Sequence, residues 1–407
     1  MSDSLTGRTQ NVSDRRSSGN RRAAVHSPVY ADHASTSPLA PEAREAMLPL
    51  LQQNLGNPSS LHFEGMAVRK VVEQARSEIA SLLHATSEEI FFTSGGTESD
   101  NWAIKGLAES RGSIGRHGIV SAIEHDAVLK TCAHLADNGL EVTKLKVNGI
   151  GHVLPDTLRQ AIRPDTIFIS IMLANNEIGT IQDIPVLAAI AHEHKIPFHT
   201  DAVQAVGHIP IDVHTLGGDL LSASAHKFNG PKGVGFLYIR HGVGIRPLLD
   251  GGSQERGARA GTENVTGIVG MAAALKARYQ QLEADMARLK KLEILLKEAL
   301  AELGIPLIYH GDADHHLPGL VSVSLPTLDV KELLRYLSAE GIAVSAGAAC
   351  HALKNRSSHV LSALGVPPDI ALQTIRISFG VGNTEKDAVR IVQAIRAFIQ
   401  HTREVLL

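Results

Sequence analysis

The chain has 407 residues and a mass of 43.4 kDa, more than one ordinary domain, so two domains sharing a large buried core are expected. A formal net charge of −3 and a pI near 6.7 give no electrostatic case for a nucleic-acid or membrane partner, and no uninterrupted apolar stretch is long enough to span a bilayer. Two cysteines, Cys132 and Cys350, argue against a disulfide framework and for a reducing compartment, which makes the protein cytoplasmic.

Residues 1 to 27 are rich in Ser, Arg, Asn and Gly with little to bury, and read as a disordered tail. Order is expected to begin near Val29, with a short strand, the polar turn Asp32 to Pro38 and a helix from Pro41. A Gly/Pro/Ser loop at 56–60 leads into a helical pattern from Glu64 to Leu83. From Glu89 to Ile239 strand-like and helix-like segments alternate. The strands are expected at Ile90–Thr93, Gly118–Ile123, Glu141–Val147, Thr166–Leu173, Pro197–Asp201 and on both sides of Lys227. Such alternation implies a mainly parallel, doubly wound α/β sheet, in which ligands sit beyond the carboxyl ends of the strands. One long helix is expected from Asn264 to Leu303, followed by a smaller α+β domain with strands at 319–325 and 374–378 and a last helix from Glu385. The pairs His192/His194 and His315/His316 lack ligands at zinc-site spacing, so they are expected to be solvated and no metal site is expected.

The residues that follow the strands carry the chemistry. Lys227 follows a strand of small and apolar residues and precedes a Gly/Pro turn. Burial there would make its amine nucleophilic, as a Schiff base with a carbonyl cofactor requires; a surface lysine beside a turn fits the same stretch. Ser94-Gly-Gly-Thr97 opens a helix whose start suits an anion such as phosphate, or is a plain capped helix start. His125 has a ring that can lie on a flat cofactor or cap a helix, and Asn176 offers an amide. Asp201 suits a protonated pyridine nitrogen, or forms a turn.

Taken together, Thr93 to Asn101, Glu124-His125, Ala174-Asn-Asn-Glu177, Asp201-Ala-Val-Gln204, Ser224 to Gly233, Arg259-Ala-Gly-Thr262 and Gly347-Ala-Ala-Cys350 resemble the cysteine desulfurases. These are class V aminotransferase relatives that use pyridoxal 5'-phosphate on the aspartate-aminotransferase fold. The resemblance runs from Val29 to the C-terminus. It implies that Lys227 holds the cofactor and moves the α-proton, that His125 stacks on the ring, that Asp201 holds the ring nitrogen protonated and that Gln204 bonds the ring hydroxyl. Gly96, Thr97, Ser224 and His226 would hold the phosphate, with Thr262 reaching it from a neighbouring subunit of a homodimer. Arg376 would clamp the substrate carboxylate with Asn176 nearby, and Cys350 would be the nucleophile that takes the sulfur of L-cysteine, leaving L-alanine and a persulfide for a sulfur-acceptor protein. Cys132, inside an apparent helix, is expected to be packing.

The resemblance also implies a domain division: residues 28–263 as the larger cofactor-binding domain, with the N-terminal segment partly joining the smaller one, and 264–407 as the interdomain helix and small domain carrying the Cys350 loop. Ala346, Ala348 and Asn229 depart from the common desulfurase pattern. The segments around Gly252–Arg256, Gly261–Asn264 and Gly347–His351 look like selenocysteine lyases, which makes L-selenocysteine the alternative substrate. An aminotransferase of the same fold and a catalytically silent sulfur-carrier adaptor are further alternatives; Cys350 counts against the first and the intact site set against the second. The chain stops at Leu407 without the extension by which some desulfurases dock an iron-sulfur scaffold, so delivery to such a scaffold is left open.

Overall fold

The computed structural model describes residues 27–53, 56–347 and 357–405; the expected N-terminal tail and Cys350 lie outside the described residues. Among the described residues the strands form three sheets. The central one has seven strands, β2 (Ile90–Thr93), β3 (His117–Ser121), β4 (Glu141–Leu145), β5 (Thr166–Ser170), β6 (Phe198–Asp201), β7 (Leu220–Ser224) and β8 (Gly235–Ile239). Their spatial order is β2-β8-β7-β6-β5-β3-β4. Every pair is parallel except those made by β8, which runs against β2 and β7. The expected mainly parallel, doubly wound α/β sheet is therefore the observed one.

Its inner strands are buried at every position, which is why they read as apolar runs rather than alternating ones. One face packs on the helices α1 (Pro41–Gln53) and α2 (Phe63–Leu82) and on helix 265–280, while the other carries α3 (Gly96–Arg111) and α4 (Asp126–Asp137). Cys132 of α4 is a buried free thiol in the second layer, and burial pushes its pKa up to about 12.

The C-terminal part has an antiparallel sheet of β9 (Ile308–His310), β10 (Leu320–Ser324), β12 (Ser345–Ala346) and β13 (Thr374–Ser378), with β13 central. The N-terminal strand β1 (Val29–Tyr30) joins this region by pairing in parallel with β11 (Ile342–Ala343), and Val29 and Ala31 are buried in its core.

Three expectations need correction. The single helix 264–303 is two, Val265–Gln280 and Leu282–Ala301, broken at Gln281. The break lets the first helix stay on α1 and α2 while the second turns to the last helix, and the Arg278–Asp285 ion pair at 2.5 Å spans it. β3 and β5 stop at Ser121 and Ser170, short of Ile123 and Leu173: the Met172 amide donates to the Glu124 carboxylate at 2.8 Å, although Ile171 and Leu173 still donate to the His199 and Asp201 carbonyls at 3.1 and 2.9 Å. His316 is buried rather than solvated, its Nε2 lying 2.8 and 2.9 Å from the two Glu293 oxygens; burial of Glu293 demands that partner.

Candidate active site

Five parallel strands end at one edge, and residues just past β3, β5, β6 and β7 line a cavity of about 470 Å³ together with the segment that opens at Ser94 after β2. After β7 the chain makes a single 3₁₀ turn, Ala225–Lys227, locked by the wholly buried Phe228. Asn229 then takes a left-handed φ of 66°, which Asn tolerates well, and its side chain donates to the Pro38 carbonyl at 2.8 Å. That conformation gives a local reason for Asn, rather than an aromatic, at this position.

The turn aims Lys227 into the cavity, where Nζ donates to the backbone carbonyls of Ala34 at 2.7 Å and Ser35 at 2.8 Å. Gln204 donates to the same Ala34 carbonyl at 2.8 Å. Segment 34–36 is thus held by the lysine turn on one side and by β6's successor on the other.

At the opposite wall α3 begins at Gly96, with Gly95 at φ 144° and no side chain capping its first turn. Glycine is required close by: a Cβ on Gly235 of β8 would lie 2.4 Å from the Ala223 carbonyl oxygen and 2.7 Å from the Gly95 Cα. This packing seats the helix start beside Ser224. Ser224 and His226 complete that wall, and burial followed by the charges of Lys227 and Lys232 lowers His226 to about 4, so its ring is neutral at pH 7.

His125 both caps and lines. Its Nδ1 accepts from the Ala127 amide at 3.1 Å, starting α4, while the ring borders the cavity. Asp201, at the end of β6, accepts from the Val203 amide at 2.9 Å and is buried; burial raises its pKa, against the pull of His125, the Val203 amide and Lys227. Arg376, on β13 and only 3% exposed, reaches in from the C-terminal sheet. It donates to the Asn176 carbonyl at 2.7 Å, the Asp32 carboxylate at 2.8 Å and the Ser35 hydroxyl at 2.7 Å, and its buried Nε has no partner among the described residues.

Gly96, Thr97, His125, Asn176, Asp201, Gln204, Ser224, His226 and Lys227 therefore line one cavity, and Arg376 stands at its edge on the Asn176 backbone. Thr262 does not line it. It lies in an adjoining groove of about 200 Å³ that shares Ser94 and Gly233 with the main cavity. Cys350 lies outside the described residues.

Sequence reading assigned no role to Asp32, whose only signal is an acid in the polar turn after β1, nor to Glu177. Glu177 accepts a 2.5 Å hydrogen bond from Ser358, and burial lifts its pKa to about 7. A Cβ on Gly347 would sit 3.7 Å from Glu177, so Gly347 and Ser358, on either side of residues 348–356, meet the same carboxyl.

The chemistry of this donor set suits a phosphorylated, protonated pyridine. A helix start, hydroxyls, a neutral imidazole, a carboxylate and an amine all line the one cavity. The chain belongs to the class-V aminotransferase family, whose description matches residues 29–391 and whose members use pyridoxal phosphate. Among its relatives, a cysteine desulfurase IscS of Methanosarcina thermophila is 50% identical over 378 residues, covering 93% of each chain. A cysteine desulfurase IscS of Dictyoglomus turgidum is 47% identical, covering 93% of this chain and 96% of the relative. A solved NifS-like protein superposes with a TM-score of 0.87 at 38% identity, covering 92% of this chain and all of the other. The family inferred from the motifs is the one found.

Proposed function

We propose that the protein is a pyridoxal-phosphate-dependent cysteine desulfurase, converting L-cysteine to L-alanine and leaving the sulfur as a persulfide on Cys350. The observation that carries this reading is the convergence of Lys227, His125 and Asp201 on one cavity with Arg376 at its edge. Pyridoxal phosphate, when bound, supplies an electron sink for negative charge developing at the substrate α-carbon. Asp201 keeps the ring nitrogen protonated, His125 covers the ring face, and Gln204 takes the ring hydroxyl. The start of α3 at Gly96 and Thr97, with Ser224 and His226, holds the phosphate. Lys227 anchors the group through its amine and carries the α-proton, while Arg376 and Asn176 orient the substrate carboxylate.

Ser345 pairs with Arg376 in the sheet, so the strand leading toward Cys350 is zipped to the strand that carries the carboxylate-binding residue. Residues 28–263 are read as the cofactor-binding domain and 264–407 as the smaller one. A homodimer in which Thr262 completes the partner's phosphate site is supported by its separation from the cavity and by the exposed Leu61, Phe63 and Met66 around the start of α2. A thiol nucleophile needs a reducing compartment, which supports the cytoplasm, and the persulfide requires a sulfur-acceptor protein or thiol.

The test is a product assay. Purified protein with pyridoxal phosphate and L-cysteine is expected to release alanine and, with an added thiol, an equal amount of sulfide. A keto acid in place of alanine would replace this reading with an aminotransferase.

A further inference from the structure

Three carboxyl groups gather at the cavity, two of them lining it, more than the ring-nitrogen contact uses. Asp201 is joined by Asp100 of α3, 1% exposed, and by the wholly buried Glu124. Asp100, His125 and Asp201 each bring one polar atom to within 4.8 Å of the others. Like charges so close in a water-free environment cannot all ionise together.

The surroundings decide which carboxyl keeps the negative charge. The Lys227 charge acts on Asp201, whereas the groups acting on Asp100 are Asp201, Glu124 and the Ser222 hydroxyl, and the His125 ring lies within 4.8 Å of both carboxyls. His199, 3.7 Å from Asp100 Oδ1, is held neutral: burial drops its pKa to about 3, and its two ring nitrogens engage Ser170 at 2.8 Å and Ser222 at 2.9 Å. Asp100 Oδ1 is sealed from solvent and has no hydrogen-bond partner among the described residues. Asp201 brings a carboxylate oxygen to within 4.8 Å of an Asp100 oxygen, so it can serve as the acceptor for a proton held by Asp100.

We propose that Asp100 is a positioning residue for the cofactor: it stands as a neutral carboxylic acid below Asp201 and donates its proton to it, leaving Asp201 the single anion that faces the pyridine nitrogen. The inference rests on the cavity being a pyridoxal-phosphate site. Burial, then the charge of Asp201, push the Asp100 pKa well up, against the Ser222 hydrogen bond and with a further push from Glu124. Sharing a proton in this way tempers the basicity of Asp201 without adding a second negative charge under the ring.

The experiment compares wild type, Asp100→Asn and Asp100→Ala, each loaded with pyridoxal phosphate, by three readouts. These are the cofactor dissociation constant, the pH midpoint of the bound cofactor's absorption change, and the infrared carbonyl band of a protonated carboxyl. Asn is neutral and donates like the protonated acid, so Asp100→Asn is expected to keep the midpoint within about 0.3 pH unit and the affinity within about twofold. Asp100→Ala removes the donor, leaves Asp201 a stronger anion and is expected to raise the midpoint by about one pH unit. The wild-type minus Asp100→Asn infrared difference should contain the protonated-carboxyl band, since Glu124 is common to both. A midpoint shift of about one pH unit in Asp100→Asn, a missing band, or an Asp100→Ala protein that titrates like wild type would overturn the proposal. If Asp100→Ala does not fold, the titration and band of Asp100→Asn still decide. Failure of wild type to take up the cofactor would defeat the reading of the whole site, whereas uptake with a shifted Asp100→Asn defeats the role of Asp100 alone.

Discussion

Arg376 holds Asp32 at 2.8 Å although 344 residues separate them, and the same guanidinium tail reaches Ser35 at 2.7 Å. The pair joins the N-terminal turn to the C-terminal sheet and fixes the plane of a fork whose Nε is left unpartnered and buried. A planar fork binds a carboxylate by two parallel hydrogen bonds, which a lysine ammonium cannot reproduce. Arg376→Lys is therefore expected to raise KM for L-cysteine by about tenfold or more, with a smaller effect on kcat, in steady-state alanine release. Equal KM values for the two proteins would remove Arg376 from the substrate site.

The Lys227 amine donates to two backbone carbonyls of the 34–36 segment. Those contacts hold the amine against the 34–36 segment in the cavity. Replacing Lys227 with Ala leaves pyridoxal phosphate only its phosphate and ring contacts, so the absorption of the amine-linked cofactor should vanish and turnover fall by at least about 10³-fold. Exogenous methylamine should restore the shifted absorption if the remaining site is intact. A normal spectrum in Lys227→Ala would locate the anchoring amine elsewhere.

Selection between L-cysteine and L-selenocysteine turns on the thiol. Selenium leaves carbon more readily than sulfur, so a nucleophile is more necessary for the sulfur substrate. Cys350→Ala is expected to abolish alanine release from L-cysteine, by about 10²-fold or more. Measured in parallel on L-selenocysteine, retained turnover together with poor wild-type activity on L-cysteine would assign the protein to the lyase reaction instead.

Much of the site was legible because its residues follow strands, where a doubly wound sheet gathers ligand contacts whatever the loops do. The Asp201 and Lys227 stretches are such places. What escaped depends on contacts between distant elements. Asp32 is one acid in a turn until Arg376 is brought to it, and His316 reads as half of a surface pair until the helix carrying Glu293, 23 residues upstream, folds over it. The break at Gln281 has neither Gly nor Pro to announce it, because packing on two different layers, not local propensity, divides the helix.

Glu293 predicts a stability effect separate from catalysis. Burial tends to raise its pKa, but hydrogen bonds from His316 and Lys297 outweigh that, and the net shift is downward. A carboxyl with a lowered folded pKa contributes stability that is present above its unfolded pKa of about 4.3 and is lost as pH falls through the folded value. Glu293→Ala leaves His316 buried without an acceptor and should cost about 3 kcal/mol at pH 7. Thermal unfolding should show this deficit narrowing as pH falls below about 4. A deficit that stays constant down to pH 3 would mean lost packing rather than the ion pair.

Glu124 predicts the opposite slope. Its Oε1 accepts from Met172 at 2.8 Å and from Ser121 at 2.5 Å, while its buried Oε2 has no partner among the described residues, and burial pushes its pKa up from 4.5 to about 8. The folded state therefore holds a proton that the unfolded chain releases. The stability from this group is complete below about 4.5 and is lost as pH rises from there through about 8, at no more than about 1.4 kcal/mol per pH unit. Glu124→Gln keeps an acceptor for Met172 and mimics the protonated form, so it should flatten the decline and unfold at a higher temperature than wild type near pH 9. Both proteins share every other titrating group, so the difference between their Tm curves isolates this carboxyl. Parallel curves from pH 5 to pH 9 would show that Glu124 is already ionised in the fold, with its charge met by a partner at Oε2.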